Sequence, residues 1–387
     1  MIVLKKTRGG LLYWNATILK LATILFIGIL LVCSVHFFNL SSSYSSRTTS
    51  DGPLRSSIDE FCESLGYPLV MPLEENLFSE RHRKETLCVF WDVGDVYEAS
   101  FIADILLKEY PSTIYHITDT SVESILHSNR SLTHICKHSL LVTNSDESKI
   151  LNILKTLQES GFDNRGVFLL SDEGCSKHCR DISRPYCDYI IRNYWCEAMN
   201  SHQDAYWMPL GYAIPFVEPN ENTILPCFLR KYTASFKGSL KSDRLRFIEY
   251  LKNSSVYNES RFLVQTTEDF HKGDPAYKFR GLLMDSQIIP CPAGVNSEQF
   301  RIWVALSTAS IPILQQGETF FKLPQDHPLI IVESVEEMVR EIERLNNEPL
   351  KMMKIQCKIF RWWLSYRRTL QRQVPQLVLD GRHLNWQ

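Results

Sequence analysis

The chain lacks any excess of charge. Its 42 lysines and arginines stand against 44 aspartates and glutamates, a formal net charge of −2, so the balance calls for neither nucleic acid nor another polyanion as partner. Hydrolase and phosphate-loop signatures are missing as well: there is no H-E-x-x-H, G-x-S-x-G, Walker A or G-x-G-x-x-G. A protease or lipase would need a triad that the sequence does not announce. None of the 11 cysteines forms a C-x-x-C pair, which argues against a four-Cys zinc knuckle. No D-x-D triplet occurs, so there is no ready acidic clamp for a metal-bound diphosphate.

Positive charge is also absent between Lys20 and Arg47, and here the absence frames a presence. Leu21 to Leu40 is almost wholly apolar, with only His36 and Asn39 strongly polar. About twenty residues at ~1.5 Å each span roughly 30 Å of hydrocarbon. Lys5, Lys6, Arg8 and Lys20 precede the run, so the positive-inside rule predicts a signal anchor with a cytosolic tail (1–20) and everything after residue 40 in the lumen. A cleaved signal peptide is the rival reading; the long apolar run and the lack of a small-x-small cleavage site argue against it. Ser41 to Ser57 is polar and Ser-rich, a flexible stem. Tail, anchor, stem and large luminal part form the layout of a Golgi or ER resident enzyme, and also of some type II receptors and proteases. In such a lumen the crowded Cys175, Cys179, Cys187 and Cys196 predict disulfides, with connectivity open. Asn129, Asn253 and Asn258 begin sequons and are candidate glycan sites.

The luminal part alternates strand-like and helix-like runs. Leu87–Trp91, Thr113–Ile117, Leu140–Thr143, Gly166–Leu170 and Tyr189–Ile191 read as strands in the first half, with helices over Glu98–Tyr110 and Ile150–Leu157. Tyr232–Phe236, Ser260–Thr266, Ile288–Pro290, Ile311–Leu314 and Leu329–Val332 read as strands in the second, with helices over Asp243–Leu251, Phe279–Met284 and Val335–Leu345. Pro209 to Pro226 has no period and reads as a linker. The pattern predicts an α/β protein with two mainly parallel, Rossmann-like sheets facing a cleft, the GT-B plan of glycosyltransferases. The expected boundaries are a stem and lead-in at 41–85, an acceptor domain at 86–210, a linker at 211–231, a nucleotide-sugar domain at 232–346 and a C-terminal helix and tail at 347–387. That last helix, Met352 to Leu370, is expected to dock one face on the globule and hold its lysines and arginines in solvent.

Cys291 to Leu314, CPAGVNSEQFRIWVALSTASIPIL, carries the most chemistry. It reads as strand, glycine loop, helix and strand, a βαβ unit whose loop meets a phosphate at a helix N-terminus. The spacing predicts a helix over Ser297–Leu306, with Asn296 as N-cap, Gln299 three residues on and Glu298 in the first turn. Glu298 suits ribose hydroxyls and Arg301 a diphosphate. An ordinary crossover with a solvated acid and arginine is the alternative. Gly238 and Ser239 form a second loop at a strand end, with Arg244 behind it, open to the same two readings. Glu173 and Asp172 fall at the end of a first-half strand, where a base for an acceptor hydroxyl must lie, or where a helix cap would. Glu173 is the favoured base. Without a D-x-D, a metal-dependent GT-A enzyme is disfavoured; helix dipole and basic groups would hold the leaving diphosphate, with no cofactor required.

The same stretch resembles exostosin-like glycosyltransferases and, more closely, the ribitol-5-phosphate xylosyltransferase family. Three further blocks fit that family in order: Phe168 to Cys175, Trp207 to Gly211, and Phe236-Lys237-Gly238. The resemblance implies a single-pass type II Golgi enzyme with a GT-B fold. It implies UDP-xylose or another UDP-sugar as donor, a glycan on a glycoprotein as acceptor, and Gly294, Asn296, Glu298 and Arg301 as donor-binding. Two positions depart: Val304 stands where the family has Glu, and Ala309 where it has Gly. A luminal pseudo-transferase on the same scaffold is the competing class, and donor binding separates the two.

Overall fold

The computed structural model describes residues 58–68, 86–93, 98–108, 110–117, 121–128, 132–174, 185–195, 197, 199, 204–213, 219–268, 274–317 and 323–380. The expected anchor at Leu21–Leu40, the stem, and the candidate positions Asn129, Cys175, Cys179 and Cys196 lie outside them. Among the described residues no helix is long and apolar enough to cross a membrane.

Two parallel sheets organise the fold. The first has six strands in the order β2-β1-β3-β4-β5-β6: β1 (Leu87–Asp92), β2 (Ser112–His116), β3 (His138–Thr143), β4 (Asn164–Leu169), β5 (Tyr189–Arg192) and β6 (Ala205–Trp207). The second has five, in the order β11-β10-β9-β7-β8: β7 (Tyr232–Ser239), β8 (Phe262–Thr267), β9 (Ser286–Cys291), β10 (Ile311–Gln315) and β11 (Ile330–Val332). Every pairing is parallel. The central strands β1, β3 and β9 are buried along their whole length, which is why they read as continuous apolar runs rather than alternating ones. The two-sheet α/β plan expected from the sequence is therefore present.

Helices follow the local signals. In chain order they are α1 (Ile58–Ser64), α2 (Ala99–Ile102, continuing as a π-turn over Ala103–Leu107), α3 (Val122–Ser128), α4 (Leu132–Ile135) and α5 (Glu147–Glu159). The second half adds α6 (Arg244–Asn253), α7 (Ala276–Met284), α8 (Phe300–Ser307), α9 (Val335–Asn347) and α10 (Pro349–Asp380). Asp146 caps α5 by accepting from Lys149 N at 3.0 Å, and Ser334 caps α9 by accepting from Glu337 N at 3.2 Å. Asn253 ends α6 and is exposed, as is Asn258 in the turn beyond it.

Two expectations are corrected here. The helix expected from Ser297 starts three residues later. The Asn296 side chain accepts from Glu298 N at 2.9 Å, closing a local turn that competes with helix, and the extended Gln299 becomes the N-cap. The C-terminal helix is no surface prop. It runs 32 residues and packs against both sheets. Lys351, Lys354 and Lys358 are exposed as expected, but Arg361 bonds to Tyr67 O at 2.9 Å and pairs with Asp59 of α1.

Two disulfides join described residues, while three of the four clustered cysteines lie outside them. Cys62 of α1 is bonded to Cys357 of α10, and Cys88 of β1 to Cys136. Cys187 is buried just ahead of β5.

Beneath the join of the two halves runs a column of rings. Trp207 at the end of β6 lies 6.2 Å from Trp303 of α8, Trp303 lies 5.8 Å from Trp363 of α10, and Trp363 stacks at 6.3 Å on Phe101 of α2. Gly211 is needed beside it: its φ is +71°, and a Cβ there would lie 2.1 Å from the Phe101 ring.

Candidate functional site

In parallel sheets of this kind ligands meet the carboxyl ends of strands, so the site is built from the loops there. On the second sheet β7 ends at Gly238-Ser239, β9 ends at Cys291, and the βα loop carries Gly294 and Asn296.

Two arginines fill the space between those loops. Arg301, in the first turn of α8, donates from Nη2 to Lys237 O at 2.6 Å and lies over the Phe236 ring at 4.4 Å. Arg244, first residue of α6, donates to Ser239 Oγ at 3.3 Å and to Gln299 Oε1 at 3.1 Å. Neither hydrogen-bonds a carboxylate among the described residues, and the Nε of each is buried without a partner. Burial lowers the pKa of both; for Arg301 the value falls to about 10, with the neighbouring Arg244 charge as the second cause. Both remain cations at neutral pH. Arg244 also sits at a helix N-terminus, where the dipole disfavours a positive charge. A buried and a half-buried guanidinium, bonded only to neutral groups among the described residues, are costly without an anion.

The glycines explain how the arginines fit. A Cβ on Gly238 would come 2.6 Å from Arg301 Nη2, and one on Gly294 would come 2.5 Å from Arg244 Nη2. Each glycine is the floor on which one guanidinium rests. Gly238, Ser239, Arg244, Gly294 and Arg301, singled out from sequence, are thus brought together.

Glu298 is not. Its side chain is 1% exposed and turns away toward the first half. Oε1 accepts from Leu210 N at 2.6 Å, while Oε2 accepts from Trp207 Nε1 at 3.2 Å and Tyr194 N at 3.3 Å. Burial raises its pKa to about 7, against the lowering effect of those bonds. With both oxygens engaged it has no face left for a ribose, so the donor-contact expectation for Glu298 is corrected: it ties the two halves together.

In the first half, Ser171-Asp172-Glu173 follows β4. Glu173 is half-buried; Asn296 Nδ2 donates to its backbone carbonyl at 3.3 Å. Burial raises its carboxyl pKa, opposed by the Asn296 backbone N–H, Arg244 and Lys241. Its backbone is thereby joined to the loop that carries Asn296. Asp172 is buried in an ion pair with Arg192 at 2.9 Å, both side chains 2% exposed, and so is corrected from candidate base to structural anchor.

Sequence reasoning missed Glu98, at the head of α2. Its Oε1 accepts from Ser171 Oγ at 2.9 Å, its Oε2 is buried without a partner among the described residues, and burial raises its pKa. The available signal was an acid opening the helix that follows the first strand.

Residues 214–381 match the family model described as the RXYLT1 C-terminal domain. No curated relative matches the chain. Among solved structures, the chain is similar to "T4 phage BGT in complex with UDP and Mn2+" at 10% identity, covering 76% of this chain and 99% of that one, with TM-score 0.42. It is similar to "Anabaena Alr3699/HepE in complex with UDP" at 8% identity, 76% and 100% coverage and TM-score 0.46. It is also similar to an α1,3-fucosyltransferase at 14% identity, 80% and 96% coverage and TM-score 0.39. The stretch with the paired arginines lies wholly inside the residues that match the RXYLT1 C-terminal domain.

Proposed function

We propose that this protein is a glycosyltransferase that moves xylose from UDP-xylose onto a glycan acceptor, such as ribitol-phosphate on a glycoprotein. One observation carries the reading: Arg301, buried, and Arg244, half-buried, bond no carboxylate among the described residues and converge on the strand ends of the half that matches the family model. A nucleoside diphosphate supplies the missing negative charge and acceptor oxygens for their free donors. In an inverting transfer the acceptor hydroxyl attacks the anomeric carbon as its proton passes to a carboxylate of the first half. The bond to the diphosphate breaks, and its electron pair leaves on an oxygen held by the two guanidiniums. The arginines do the charge-stabilising work for which other transferases use a metal, so the reading requires no cofactor. Apolar length and charge asymmetry around Leu21–Leu40 support a type II Golgi membrane protein with this part luminal.

The test is a thermal-shift and calorimetric screen of the luminal part against UDP-xylose, other UDP-sugars and GDP-sugars. Transfer to ribitol 5-phosphate is then followed with and without EDTA. Selective binding of UDP-xylose and EDTA-resistant transfer are expected. Absence of binding to every nucleotide sugar would overturn the reading, and loss of transfer in EDTA restored by manganese would overturn the metal-free mechanism.

A further inference from the structure

Four acids stand in the described loops at the carboxyl ends of β1 and β4: Asp92, Glu98, Asp172 and Glu173. Their surroundings separate them. Asp92 accepts from Lys149 Nζ at 2.6 Å and from Thr143 Oγ1 at 2.9 Å, so it is neutralised and bonded. Asp172 is held by Arg192. Glu173 is stabilised as an anion from the donor side, by Arg244, Lys241 and the Asn296 backbone N–H. Of the four, Glu98 alone has, among the described residues, no cation beside it and a carboxylate oxygen with nothing bonded to it.

Its setting is built. Ser171, whose φ of +55° places it in the left-handed region, donates from Oγ to Glu98 Oε1 and fixes the carboxylate. Tyr194 lies within the field of Glu98 and Glu173 together, its phenol raised by burial first and by those carboxylates next. The two acids thus act on one tyrosine, and of the two only Glu173 is also within the field of Arg244 and Lys241. A buried polar atom left unbonded costs free energy and is rare unless something arrives to bond it.

We propose that Glu98 is the general base of the transfer, its Oε2 receiving the acceptor hydroxyl proton. Glu173 is the donor-side carboxylate that holds the Arg244–Asn296 loop. The assignment rests on the transferase reading. In the step, the acceptor O–H bond breaks and its proton goes to Glu98 Oε2. The acceptor oxygen bonds the anomeric carbon, and the carbon–oxygen bond to the diphosphate breaks with its electron pair on the leaving phosphate. Ser171 keeps Oε1 bonded throughout, so the proton is directed to Oε2.

The experiment compares Glu98→Gln, Glu98→Ala and Glu173→Gln in the full chain, with UDP-xylose as donor and ribitol 5-phosphate as acceptor. Glu98→Gln is expected to lower kcat about 100- to 10,000-fold with unchanged donor Kd, and to lose the acid limb of the pH–rate profile. Formate is expected to restore part of the rate to Glu98→Ala, which a purely structural defect would not allow. Glu173→Gln is expected to act mainly on donor Kd. Parental turnover in Glu98→Gln, or collapse of kcat in Glu173→Gln at unchanged donor Kd, would overturn the assignment while leaving the transferase reading intact. A parent chain that binds no nucleotide sugar would overturn both.

Discussion

Glu298 of the second half accepts a hydrogen bond from the indole Nε1–H of Trp207 in the first, at 3.2 Å, with Leu210 N and Tyr194 N on the same carboxylate. The carboxyl sits fully buried at the join, and burial raises its pKa from 4.5 to about 7. The unfolded chain gives up this proton near its ordinary value, while the folded chain keeps it to about pH 7. The folded state therefore binds more protons in between, and stability falls as pH rises through that window. Shifts of this size correspond to on the order of 3 kcal/mol. Burial of Glu98 and Glu173 acts in the same direction. Urea unfolding between pH 5 and pH 8 is expected to show higher stability at the acid end, with a shallower slope in Glu298→Gln.

Arg301→Ala and Arg244→Ala are each expected to weaken donor binding while leaving a folded protein. A charged hydrogen bond contributes about 1.5–3 kcal/mol, a loss of about 10- to 150-fold in Kd. Gly238→Ala asks the same question without removing a charge. The new methyl meets the mobile end of Arg301, so the guanidinium shifts rather than the backbone. Weakened UDP-xylose binding with a near-parental Tm is the expected calorimetric result; unchanged affinity would remove the Gly238–Arg301 contact from the site.

Asp172→Asn should damage the fold rather than the chemistry. It breaks the buried ion pair with Arg192, and removing one partner of such a pair typically costs about 3–5 kcal/mol. Denaturant midpoints are expected to fall sharply, with donor affinity per folded molecule retained.

Ala309 has φ +52° and closes α8 in a Schellman turn: Ser310 N bonds Ala305 O at 2.8 Å and Ala309 N bonds Leu306 O at 3.1 Å. A side chain in the left-handed region costs roughly 1–2 kcal/mol, partly offset by the lower chain entropy of alanine in the unfolded state. Ala309→Gly is therefore expected to raise Tm by a few degrees at most, and a fall would show that the buried methyl outweighs the strain.

Strand positions were legible because parallel strands buried on both faces leave unbroken apolar runs, as in Leu87–Trp91 and Ile311–Leu314. The donor-side loops were legible because glycine beside a strand end followed by an arginine has few uses. The role of Glu298 was not. Nothing local tells an acid in a solvated first turn from one that reaches Leu210, 88 residues earlier in the chain. The same holds for Asp172, whose partner Arg192 lies 20 residues on. Glu98 was visible as a helix start, but its unbonded oxygen is a property of packing. The Val304 departure from the family pattern falls on a buried position of α8, inside the core.

The long last helix sets an order of events during synthesis. Asn164, which opens β4 in the first sheet, donates from Nδ2 to Val378 O near the end of α10, at 2.6 Å and 214 residues away. Cys62 likewise waits for Cys357, 295 residues on. Contacts of such separation form late, because the chain between them must first be closed into a loop. The first half emerges from the ribosome long before the helix that completes its packing, and so spends that interval with one face uncovered. Nascent chains stalled before residue 350 are expected to be protease-sensitive across β3 and β4 and to bind chaperones. Chains released after residue 380 should become resistant in both halves at once.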